Sequence, residues 1–219
     1  MIHIAAEALM TPARLTDQRL LVLHTLRLSG FVGGDAVANR TGVDPATVHE
    51  ILEQARADGH VVERSGRISG WILTPEGRAT HAQMLADELA ARGCRPEVEA
   101  ANEAFLELNE RFKQICTRWQ LRPDGSPNDH SDPAYDAAVI ADLGLLHPQA
   151  VAATVALAEV LPRFARYPED FTVALDRLRN GDTRALAAPL SASYHDHWME
   201  LHQDLLSTLG RERSTADGH

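Results

Sequence analysis

With 219 residues and 44% apolar content, the chain is long enough to bury a core and too apolar to be a disordered tail. A net charge of −10 excludes indiscriminate attachment to nucleic acid or anionic lipid. Two cysteines, Cys94 and Cys116, exclude a disulfide framework and fit a reducing compartment.

In chain order, the opening MIHIAAEALMTPAR lacks the basic flank and apolar stretch of a secretory leader. The longest predominantly apolar run, 150–161, is about half a membrane span. The expectation is a cytoplasmic protein with no membrane contact. Charge is uneven along the chain. Residues 1–92 carry 9 arginines against 11 acids, and residues 93–219 carry 12 basic groups against 20 acids. The acidity therefore sits mostly in the second part, which leaves the first part able to meet a polyanion.

Thr16 or Asp17 caps a predicted helix with Leu20, Leu21, Leu23, Leu26 and Leu28, ended by Ser29-Gly30. Phe31-Val32 is long enough for one rung of a strand. A second helix opens at Gly34-Asp35 and stops at Thr41-Gly42. Asp44-Pro45 pairs a favoured cap with a favoured first helical residue. The third helix buries Val48, Ile51, Leu52 and Ala55 and ends at Asp58-Gly59. Val61-Val62 and Trp71-Ile72-Leu73 then flank a glycine-containing tip, which predicts a hairpin over about 60–74. Thr74-Pro75 starts a fourth helix that runs to about Ala91, with Gly93 as its stop.

The rest reads as helical. In 96–120, Val98, Ala101, Phe105, Leu108, Phe112, Ile115 and Trp119 alternate steps of three and four, a heptad seam. Such a seam needs a long helical partner, either 191–209 or the same helix of a second subunit. Residues 122–133 form a polar loop. Helices follow at about 134–146, 148–166, 168–180 and 191–209, with Pro148 at a first helical position and Pro162 as a kink or break. The fold class is mainly α. An N-terminal winged helix-turn-helix domain is expected over 1–93, and a helical bundle serving effector, interaction or dimerisation roles over 94–219.

The run Leu73-Thr74-Pro75-Glu76-Gly77-Arg78 directly after the hairpin resembles MarR-type regulators, as does Val43-Asp44-Pro45-Ala46-Thr47-Val48 at the start of the third helix. The resemblance covers about residues 17–92. It implies a bacterial-type, dimeric transcription regulator whose third helix enters the major groove of double-stranded DNA while the wing follows the backbone. Carried onto this sequence, the DNA-facing residues are Arg40, Thr47, His49 and Glu50, with Arg64 and Arg67 flanking the wing tip. The third helix departs from a basic pattern, because 44–58 hold four acids and one arginine. The alternative is a winged helix that binds a partner enzyme or complex instead of DNA. The ligand of the second domain, a small-molecule effector or a protein, stays open.

Chemistry-bearing patterns are few. His195 and His202 are seven apart and share a helix face, and a distant His147 would have to join them to hold a metal. The competing reading is a solvated face beside the apolar stripe Tyr194, Trp198, Leu201 and Leu205. Cys94 between Arg92 and Arg95 is either a redox-sensing thiol or an exposed thiol at a helix end. Cys116 is expected to be packing. No nucleophile elbow, phosphate loop or dinucleotide fingerprint is present, so no catalytic residues, cofactor or metal are expected.

Overall fold

The computed structural model describes residues 17–66 and 69–211. The chain is mainly α and divides into two compact units, Met1–Cys94 and Arg95–His219.

The first unit begins with helix α1 (Gln18–Ser29), whose cap is Asp17; its carboxylate accepts the backbone N–H of Arg19 at 2.7 Å. Helix α2 (Gly34–Thr41) ends on Gly42 in the left-handed region at φ +68, where a side chain would be strained. Helix α3 (Pro45–Ala57) starts as the Asp44-Pro45 pair predicts, with the Asp44 carboxylate accepting from the N–H groups of Ala46 and Thr47. Strands β1 (Val61–Arg64) and β2 (Gly70–Leu73) pair antiparallel, Val61 opposite Leu73 and Arg64 opposite Gly70. Val32 adds a single rung against Trp71. Helix α4 (Pro75–Arg92) closes the unit on Gly93. Leu23, Leu26, Val37, Val48, Leu52, Trp71 and Leu73 meet in one apolar core.

The junction between ribbon and α4 accounts for the Leu-Thr-x-x-Gly-Arg run. The Thr74 hydroxyl accepts the Gly77 N–H at 3.0 Å and donates to the Gly59 carbonyl at 2.7 Å. The Thr74 N–H donates to the His60 carbonyl at 3.0 Å. A Cβ on Gly77 would lie 1.8 Å from that same carbonyl oxygen, so only glycine lets α4 approach so closely. Arg78 then donates back to the Leu73 carbonyl. Between α1 and α4, the buried rings of His24 and His81 share a hydrogen bond of 2.9 Å from Nδ1 to Nε2.

The second unit is built on helix α5 (Arg95–Gln120), which packs against helix α6 (Pro133–Val160) and helix α9 (Tyr194–Leu209). A 3-10 turn (Pro162–Arg166), helix α7 (Tyr167–Arg179) and the short helix α8 (Arg184–Ala187) complete it. The seam of α5 is consumed inside this unit. Phe112 lies 4.5 Å and Phe105 4.8 Å from Trp198, centroid to centroid, and Phe171 lies 4.7 Å from Tyr194. Two expectations are corrected. Ala101 is only half-buried, its neighbour Asn102 is buried instead, and the polar Asn109 joins the buried face beside Leu108. Asn109 accepts from Trp198 Nε1 at 2.8 Å, which no spacing rule within α5 reveals. Pro148 does not start a helix either; it lies inside α6, which runs unbroken to Val160. Leu143, Leu146, Ala150 and Thr154 keep one buried face on both sides of it, so packing overrides the local cost of proline. By length and composition alone, α6 is also apolar enough to cross a membrane.

Deep in this unit, Arg163 and Asp204 form an ion pair with side chains 1% and 2% exposed. The Tyr167 hydroxyl donates to Asp204 Oδ2 at 3.0 Å, and Arg163 also donates to Thr208. Ser193 and Asp196 cap α9 reciprocally in a capping box.

Candidate nucleic-acid interface

Val48, Leu52 and Ala55 turn inward from α3, so the helix presents its opposite face to solvent. Ala46, His49 and Glu50 are exposed on that face, and Thr47 is half-buried. Arg40, in the last turn of α2, is half-buried, and its Nη2 is out of solvent. That orientation leaves less of the guanidinium for a phosphate than an end-of-helix arginine offers. Arg64 is exposed at the end of β1. Arg67 lies outside the described residues. Three of the six sequence-predicted contacts therefore share α3, one is drawn toward the interior of α2, and one stands on the ribbon.

The electrostatics of α3 differ from a simple charge count. The Asp44 carboxylate is engaged by backbone N–H groups as the cap. Glu53 pairs with Arg56. Asp58 accepts from Gln54 and from Arg19 at 2.8 Å, and these bonds hold its carboxyl below the usual carboxylate range. Glu50 is the one carboxylate of the group with no hydrogen bond or ion pair among the described residues. Sequence reasoning missed Arg19 because it comes from α1, 39 residues before Asp58. The Glu53–Arg56 pair, at helical spacing, was open to detection.

The other candidates do not converge. The His147 ring sits 3.3 Å from the Tyr194 hydroxyl, and burial, then the nearby Arg179, lowers its pKa. His195 lies beside Phe112, and His202 is buried against Phe105 rather than on a solvated face. Among the described residues, no three His, Cys, Asp or Glu side chains are grouped to hold a metal ion. Cys94 is buried, which corrects the expectation of an exposed thiol. Burial pushes the Cys116 thiol up to about 12, as suits a packed side chain. No match to this chain is found among protein-family models, curated proteins or solved structures.

Proposed function

We propose that residues 17–92 form a winged helix-turn-helix and that the protein is a MarR-like transcription regulator that binds double-stranded DNA, with the second unit as an effector or interaction domain. In this reading α2 and α3 are the helix-turn-helix and the β1–β2 ribbon is the wing. The observation that carries it is the state of the α3 carboxylates. Asp44, Glu53 and Asp58 are each held by a partner, so the exposed face entering a groove carries His49 and a single available acid, Glu50. A carboxylate there accepts a hydrogen bond from cytosine N4. Arg64 on the wing supplies a phosphate contact.

The test is binding of the full chain to a pool of genomic duplex fragments across a salt series. Arg64→Ala should weaken binding to all sequences alike and reduce the salt slope by about 1. Glu50→Gln should move the preference at one base pair from cytosine toward adenine, whose N6 and N7 match a carboxamide. The second reading, a winged helix that docks on a protein, draws on the exposed apolar side chains Phe31 and Val62, each 41% exposed, beside and on the ribbon. Wild-type protein without salt-sensitive DNA binding would favour that reading.

A further inference from the structure

The α5 seam is filled within its own unit, so it offers no surface to a second subunit. The outer face of α6 is a different matter. Its inner face buries Val139, Leu143, Leu146, Ala150, Thr154 and Leu157. On the opposite side Ala138, Ala141, Leu145, Ala152 and Val155 are exposed, at steps of three, four, seven and three. Leu145 is 70% and Val155 44% exposed, and only 28% of the most apolar part of the helix is buried. Residues 143–158 contain no Asp, Glu, Lys or Arg. A soluble helix normally places charge on its outer face. This one carries none between Asp142 and Glu159; its polar member, Gln149, accepts from Arg111 of α5 at 2.9 Å.

We propose that this face is where a second copy of the chain docks, α6 against α6 in antiparallel array about a two-fold axis between Ala150 and Val151. The charges at its ends argue for that occupant. The uncharged stretch is bounded by Asp142 and Glu159, 17 residues or about 25 Å apart along the helix. Asp142 is paired with Arg118 of α5, and both side chains remain more than two-fifths exposed. An antiparallel pair sets Glu159 of one copy beside the Arg118–Asp142 pair of the other, so each end gains a cation between two carboxylates. It also sets Leu145 against Ala156 and Gln149 against Ala152, and the alanines let the helices approach closely. A two-fold contact must be self-complementary, and the charges at the two ends of this face meet that condition. A bilayer is the poorer occupant, because faces that insert in lipid are flanked by unpaired Lys and Arg, whereas here carboxylates bound the uncharged stretch and Arg118 at one end is paired with Asp142. The assignment stands independently of the DNA reading.

The test is sedimentation equilibrium of the full chain, with circular dichroism to verify folding. The wild type should have twice the 24.0 kDa chain mass. Ala152→Glu should sediment as a folded monomer at the same concentration. Glu159→Arg should weaken association about tenfold, and Arg118→Glu combined with Glu159→Arg should restore it. A wild type that is monomeric at all concentrations, including one that instead co-sediments with phosphatidylcholine–phosphatidylglycerol vesicles, would overturn the proposal. So would a dimer unaffected by Ala152→Glu, or a charge exchange without rescue.

Discussion

Each unit ties distant helices together through a buried polar pair, but the pairs differ in kind. In the first unit two imidazoles, His24 and His81, share one hydrogen bond between α1 and α4. In the second a guanidinium and a carboxylate, Arg163 and Asp204, meet in the core with Tyr167 and Thr208 around them. The two rings are joined by a single ring-to-ring hydrogen bond. Buried ions are tolerated only when every charge is matched, and breaking the match leaves an uncompensated charge in the interior. The ribbon-to-helix junction of the first unit depends on close backbone geometry at Gly77. The second unit depends on a few side-chain contacts made across long stretches of sequence.

The largest effect that sharpens this contrast is expected from Asp204→Ala. It strands Arg163 and should cost about 3–5 kcal/mol in denaturant unfolding of the full chain. A loss below about 1 kcal/mol would show that the ion pair is not what holds α9 to the turn before α7. Next is Gly77→Ala in the first unit. The added methyl meets the His60 carbonyl, so α4 and β1 must separate, at about 2–3 kcal/mol. Stability equal to wild type would mean that the ribbon junction is looser than described. The smallest is His81→Phe, which keeps a ring but removes one partner of the hydrogen bond to His24. We expect about 1–2 kcal/mol in thermal unfolding, well below Asp204→Ala. Equal costs for the two would erase the distinction between the units.

The same contrast explains what could be read from the residues alone. Asp44-Pro45 and Thr74-Pro75 act on backbone groups two or three residues away, so the starts of α3 and α4 were legible. The run from Leu73 to Arg78 was legible as a pattern, and its physical content is a tight ribbon-to-helix junction. It reports architecture and carries no information on what the exposed face of α3 meets. The heptad steps of α5 located a buried seam, but not that Asn109 would be in it, because its partner Trp198 is 89 residues away. Pro148 misled because the contacts that keep α6 continuous are tertiary, made with α5, the 3-10 turn and α7. Of the candidate interface, His49 and Glu50 were predicted to be exposed and are. The half-burial of Arg40 and the neutralisation of Asp58 by Arg19 depend on tertiary packing.

The proposed DNA contact is made by the first unit through α3 and the β1–β2 ribbon. Fluorescence anisotropy of the full chain on its best-selected duplex, at salt concentrations from about 50 to 200 mM, tests it most directly. The account predicts an affinity that falls linearly with the logarithm of salt, with a slope about 1 smaller for Arg64→Ala. Binding that ignores salt, or a slope unchanged by Arg64→Ala, would contradict it.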